Sequence, residues 1–266
     1  LRAGDKRSAM QSFAMAADER FDAAIAEEAL FNYAKLQYET DSEAFNGAIN
    51  MLTKYLERYP SSPRAGEIRS LLIAAYYNSR DYDAAYRAIR ASSAADSEVR
   101  AALQKIAYFR GLEAYAAGNI PEARRYLEES AAVGVSAKYA ALNIFWQGEI
   151  AFAEGDLTVA AAKFRTYLKR APQTEREYAF ACYNLGYCAF SRQQPAEADE
   201  SFRRFLSHRT ERDRYSADAH NRLGDIRYAS REFERAVAEY DRAIAIGAPE
   251  KQYAAYKRAV TLGLLG

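Results

Sequence analysis

"YNLGYCAFSRQQPAEADESFRRF", residues 183–205, holds two helical patterns separated by a short polar break. Gly186 lies in the middle of the first pattern. Pro195 opens the second, in a first helical turn where a missing N–H has no intrahelical partner to lose. Ala198, Phe202 and Phe205 follow at spacings of four and three, which places them on one helical face. The implied unit is helix A, tight turn, helix B. Its logic is steric. Glycine in helix A and alanine near the start of helix B let two antiparallel helices approach closely. The large residue four after the alanine fills the gap beside that contact.

This unit recurs along the whole chain. Its helix B signature reads Ala9/Phe13/Ala16, Ala48/Leu52/Tyr55, Ala85/Ile89/Ser92, Ala123/Leu127/Ser130, Ala160/Phe164/Tyr167, Ala198/Phe202/Phe205 and Ala236/Tyr240/Ala243. Successive alanines are 39, 37, 38, 37, 38 and 38 residues apart. Gly111, Gly148, Gly186 and Gly224 keep step, each twelve residues before its alanine. In the two earlier repeats Ala34 and Ile73 stand in the glycine register, and the first of these has about two extra turn residues around Asp41. Pro60, Pro172 and Pro249 stop three of the B helices. One such pair cannot bury its apolar face alone, so it must stack on the next.

The pattern resembles the tetratricopeptide repeat (TPR) family. The opening stretch carries that family's Leu-Gly, turn, Ala and Phe at matching spacing. "NRLGDIRYASREFERAVAEYDRAIAIGAP" adds Leu223-Gly224, Ala236, Tyr240, Ala243 and a closing proline. "FWQGEIAFAEGDLTVAAAKFRTYLKRAP" adds Gly148, Gly155, Ala160, Phe164 and Pro172. The period departs from the family's 34 residues by about one helical turn per unit. The resemblance implies an all-α, right-handed superhelical solenoid of about fourteen antiparallel helices. Residues 1–266 are expected to form a single solenoid of one half-repeat, six full repeats and one half-repeat. After the Gly4-Asp5 turn, residues up to 17 read as a helix B without its helix A. "EKQYAAYKRAVTLGLLG" reads as a helix A without its helix B. The chain is therefore expected to be a fragment of a longer protein. Its cut ends, with Met10 and Phe13 at one and Leu262, Leu264 and Leu265 at the other, favour self-association.

Composition narrows the function classes. Lys and Arg number 37 against 36 Asp and Glu, so net charge supplies no reason to expect nucleic acid as a partner. There is no run of eighteen apolar residues for a transmembrane helix. Cys182 and Cys188 are six apart on one helix, which separates their Cα atoms by roughly 9 Å, beyond the ~7 Å reach of a disulfide. No phosphate-binding glycine loop, metal-ligand spacing or catalytic triad can be drawn, so no catalytic residue, metal or cofactor is expected. "FRRFLSHRTERDRYSADAH" is locally basic. It reads either as a solvated connector, which is preferred, or as a dock for a phosphate or acidic peptide.

The resemblance also says where binding belongs. In TPR folds helix A lines the concave surface, with positions three before, one after and four after the glycine register directed there. The first set is Phe31, Ser70, Tyr108, Phe145, Tyr183 and Asn221. The second is Lys35, Ala74, Leu112, Glu149, Tyr187 and Asp225. The third, Tyr38, Tyr77, Tyr115, Phe152, Phe190 and Tyr228, is aromatic throughout. For the aromatic ladder, core packing is preferred over groove exposure; for the first set both stay open. The expected partner groove comprises Phe31, Lys35, Tyr108, Phe145, Glu149, Tyr183, Tyr187, Asn221 and Asp225. A partner is expected to insert apolar side chains between Tyr108, Phe145 and Tyr183. The Lys/Asn clamp of the family's chaperone-tail binders is missing.

The expected function is a non-catalytic scaffold for a protein or peptide. The alternatives are a regulatory or targeting segment of a larger enzyme, and an envelope glycan-binding module using the groove aromatics with Glu149 and Asp225. "ERYPSSPRAGEIRS" is similar to linkers of bacterial cell-envelope TPR proteins. That tilts localisation weakly towards the periplasm or cell envelope.

Overall fold

A computed structural model describes residues 5–18, 22–41, 45–90 and 97–265, the Glu98 side chain apart. Among them are fourteen α-helices and no strand. They are α1 (Lys6–Asp18), α2 (Ala23–Thr40), α3 (Asn46–Arg58), α4 (Ala65–Asn78), α5 (Tyr82–Arg90), α6 (Ser97–Ala116), α7 (Ile120–Val133), α8 (Ala137–Ala153), α9 (Leu157–Arg170), α10 (Arg176–Ser191), α11 (Pro195–His208), α12 (Arg214–Ala229), α13 (Phe233–Ile246) and α14 (Lys251–Leu262). Even-numbered helices are the A helices and odd-numbered ones the B helices. The chain forms two compact units, Leu1–Tyr139 and Ala140–Gly266. The Gly4 turn, Ser92 and the turn residues just after Asp41 lie outside the described residues.

The A-to-B turns share one backbone device. Arg80, Gly118, Gly155, Gln193 and Arg231 occupy equivalent positions, and all five have left-handed φ angles between 56° and 83°. The next residue then donates its N–H back across the turn, Asp81 to Tyr76, Asn119 to Ala114, Asp156 to Ala151, Gln194 to Ala189 and Glu232 to Arg227. This six-to-one bond satisfies a carbonyl that the helix end leaves orphaned. Three of these donors also begin helix B with their side chains: Asp81 accepts from Ala84, Asn119 from Glu122 and Asp156 from Val159. One residue thus closes helix A and caps helix B. A β-carbon in left-handed backbone costs roughly 1–2 kcal/mol. Gln193→Gly is therefore expected to raise stability by about 0.5–1 kcal/mol, after the added unfolded-chain entropy is set against it. A lower thermal midpoint would show that the Gln193 side chain contributes more than the strain it causes.

Packing within each pair follows the expected steric logic. Ala48, Ala85, Ala123, Ala160, Ala198 and Ala236 are all fully buried, as are Leu52, Leu127, Phe164, Phe202 and Tyr240 four residues later. A β-carbon at Gly148 would stand 2.8 Å from the Phe164 ring, and one at Gly186 2.8 Å from the Phe202 ring. In the first unit volume is traded between the two helices. Ile73 occupies the glycine register, and its partners Ala85 and Ile89 form a smaller aliphatic cluster with it. Ala34 clusters likewise with Ala48 and Leu52. The first signature is looser: Phe13 and Ala16 are half-buried, and Ala17 is the buried residue of α1.

Cys182 and Cys188 are both buried free thiols, and burial raises them to about 11 and about 12. No helix among the described residues is long and apolar enough to cross a membrane. Leu262, Leu264 and Leu265 are exposed, whereas Met10 and Phe13 are half-buried. In the basic connector every arginine has a partner: Arg203 Asp199, Arg204 the Tyr178 hydroxyl, Arg209 Asp213, Arg212 the Ala245 carbonyl and Arg214 Glu250. Three of the five are paired with carboxylates, whereas Arg204 and Arg212 meet neutral oxygens.

Candidate functional site

In the second unit three successive A helices, α8, α10 and α12, enclose an open cleft of about 390 Å³. Phe145, Trp146 and Glu149 come from α8, Arg176, Glu177, Phe180, Tyr183 and Asn184 from α10, and Tyr215 from α12. Phe145 forms the floor. It is 4% exposed and packs against the rings of Phe164 and Tyr167 at centroid distances of 5.9 and 5.3 Å. Trp146 and Glu149 are three residues apart, so they share one helical face. Across the cleft Asn184 donates from Nδ2 to Glu149 Oε1. Burial raises the Glu149 carboxyl to about 7, and the Asn184 hydrogen bond opposes that rise.

The α12 wall is anchored by a cap. Asp213 Oδ1 accepts from the backbone N–H groups of Tyr215 and Ser216 at 3.0 and 3.1 Å. Arg209 pairs with the other Asp213 oxygen and lies 4.9 Å from the Phe180 ring centroid. Tyr183 is held from both sides. Its hydroxyl donates to Asp218 Oδ2 at 2.7 Å, and its ring meets Phe205 at 5.0 Å and Tyr215 at 5.6 Å. Burial first, and the Asp218 charge second, push its phenol well above the usual tyrosine range. The cleft therefore offers rigid aromatic walls, a carboxyl poised near neutrality, and amide and guanidinium groups that can hydrogen-bond a ligand.

Of the nine expected groove residues, Phe145, Glu149 and Tyr183 come together here. The others do not. Tyr187 is half-buried and donates its hydroxyl to Asp218. Tyr108 is 4% exposed, within ring contact of Phe109 and Tyr139. Asn221 is 1% exposed and donates from Nδ2 to the Glu250 carbonyl at 3.2 Å. Asp225 is consumed internally, by Arg222 at 2.7 Å and by the hydroxyls of Tyr240 and Tyr253. Lys35 pairs with Glu67 at 2.6 Å, and the cations of Lys35 and Arg64 both stand over the Phe31 ring, at 5.0 and 4.9 Å from its centroid.

The expectation of open groove positions at Tyr108, Phe145, Asn221 and Asp225 is thus corrected. The reasons differ by position. Phe145, three before its glycine, turns towards its own helix B and meets Tyr167, as Phe31 meets Tyr55 and Tyr183 meets Phe205, whereas Tyr108 packs on Phe109 and Tyr139, and Asn221 and Asp225 are spent on polar contacts within the second unit. The aromatic ladder four after the glycine is half-buried and rests on the start of helix B in three repeats, through Tyr38–Phe45, Tyr77–Tyr82 and Tyr228–Phe233.

Trp146, Arg176, Glu177, Phe180, Asn184 and Tyr215 were not anticipated. The signal was present, because Trp146 and Asn184 both stand two before their glycine and Phe180 stands one turn earlier still. This face continues along the N-terminal half of helix A.

One tetratricopeptide repeat model matches residues 108–175 and 183–251, and a second matches residues 17–120. The chain belongs to the tetratricopeptide repeat family. Two solved structures share the fold. YrrB, described as a TPR protein with an unusual peptide-binding site, superposes with a TM-score of 0.52 at 15% identity, over 78% of this chain and 97% of that one. The C-terminal part of a TPR protein from Cytophaga hutchinsonii gives 0.51 at 15% identity, over 81% of this chain and 78% of that one. A chain of the APC/C hetero-tetramer Cut9-Hcn1 gives 0.49 at 19% identity, over 98% of this chain and 46% of that one. This chain thus spans less than half of that relative's length. No curated protein is similar enough in sequence to count as a match. Tetratricopeptide repeat proteins are in general protein-binding scaffolds without catalytic chemistry of their own, and this chain has their architecture.

Proposed function

We propose that this tetratricopeptide repeat protein is a non-catalytic scaffold that binds a peptide segment of a partner protein in the cleft between α8, α10 and α12. The supporting observation is the cleft itself. It places half-buried aromatic side chains beside a few convergent polar groups, on the helix A face of three successive repeats. Aromatic residues supply large contact area at low entropy cost and dominate binding hot spots. The cleft is also held open by built-in contacts, the Asp213 cap and the Tyr183–Asp218 bond, so little ordering is needed on binding.

The test is selection of peptides from a random library on the immobilised protein, followed by titration of the selected peptides. Trp146→Ala is expected to weaken their binding by about 2 kcal/mol, roughly thirtyfold, with the helical circular dichroism unchanged. Binding that is indifferent to Trp146→Ala, or no selected peptide at all, would sink the assignment of this cleft.

A further inference from the structure

One carboxylate in the cleft is in no ion pair among the described residues. Among the described residues Glu149 has a single hydrogen-bond partner, Asn184, and no ion-pair partner. The other charges lining the cleft are Arg176, exposed, and Glu177, half-buried, adjacent on α10, and neither forms an ion pair with Glu149. Asp218 behind Tyr183 is already engaged by two tyrosine hydroxyls and by Arg222. Cys188, close enough for the Glu149 charge to raise it, is a neutral thiol at physiological pH. One turn before Glu149 on the same helical face stands Trp146, the ring type that attracts cations most strongly.

We propose that the cleft takes one arginine or lysine side chain of the partner peptide, its charge on Glu149 and its flat or methylene portion on Trp146. This rests on the reading above that the cleft binds peptide. Glu149 is half-buried, and an occupant that covers it further must pair its charge, so a neutral occupant leaves Glu149 uncompensated and an anionic one is repelled. A cation over an aromatic wall answers both groups at once. The α10–α12 side of the cleft already holds a guanidinium in this manner, with Arg209 over Phe180 and its charge matched by Asp213.

The sign of the pH dependence follows from the empty cleft. Burial puts the Glu149 carboxyl near neutrality, and a bound cation favours its ionised form. Binding therefore releases a proton. Affinity rises with pH, by about tenfold from pH 6 to pH 8 as the ionised fraction climbs from about one-tenth to about nine-tenths.

The experiment uses random twelve-residue peptides displayed against the full 266-residue chain at pH 8. Selected peptides are resynthesised with each arginine replaced by citrulline, its neutral near-isostere, or each lysine by norleucine. The expected result is one enriched cationic position whose neutral replacement weakens binding by at least about tenfold. Glu149→Gln should weaken the parent peptide similarly and flatten its pH profile, without weakening the neutral peptide. The peptide-side replacement is free of any folding effect of the protein variant.

Peptides that need Trp146 but show no cationic preference, or no loss with Glu149→Gln, would overturn this inference and leave the peptide-binding reading standing. Failure to select any peptide that depends on Trp146 overturns both. So does a glycan that occupies the cleft in its place.

Discussion

Phe145→Ala is expected to destabilise the protein by about 3–5 kcal/mol, the cost of removing a buried phenylalanine and leaving a cavity that its surroundings only partly fill. The ring is 4% exposed and touches Trp146, Phe164 and Tyr167. Phe164 and Tyr167 are fully buried members of the helix B signature, so the space cannot collapse without disturbing the closest approach of α8 and α9. Thermal or urea unfolding of the purified variant measures the loss. Tyr183→Ala should cost less, because Tyr183 is only half-buried. A Phe145→Ala variant within about 1 kcal/mol of the parent would mean that Phe145 is groove surface after all.

The second large effect is expected at Gly224. A β-carbon there would lie 2.5 Å from Tyr240 Cε1, closer than at the other helical glycines that face a large residue of helix B. Tyr240 cannot step aside. It is fully buried, and its hydroxyl donates to Asp225 at 2.9 Å. Asp225 in turn balances Arg222, so displacement of the ring would strain a charged network as well as a packed core. Gly224→Val should therefore cost about 3 kcal/mol, at the upper end for overpacking. Tyr240→Leu in the Gly224→Val background should recover part of that loss, because it reproduces the trade already made by Ile73 with Ile89. Equal stability of Gly224→Val and the parent would contradict the helix register on which the fold reading rests.

Periodicity made most of the fold legible. Ala123, Ala160, Ala198 and Ala236, with their glycines twelve residues earlier, encode contacts inside one helix pair. Such contacts depend on short sequence separation and on size alone, so a single repeat specifies them. The three-residue turns are equally local, although Gln193 and Arg231 show that the left-handed position need not be glycine once the six-to-one bond forms.

The site was only partly legible, because it depends on what successive A helices present to one another. Phe145 and Glu149 are four apart on α8, yet Phe145 turns down onto α9 while Glu149 meets Asn184 on α10. Asp225 looked like a groove carboxylate of the same register as Glu149. Tertiary structure surrounds it with Arg222, Tyr240, Tyr253 and Lys257, whereas it leaves Glu149 with an amide. The helix pairs, their turns and the steric seam between them are readable from the chain alone, since spacing and side-chain volume set them. Which carboxylates are consumed internally depends on folding: Asp225 draws Tyr253 and Lys257 from the next repeat in addition to Arg222 and Tyr240 of its own, and burial and such neighbours set the free energy of a charge.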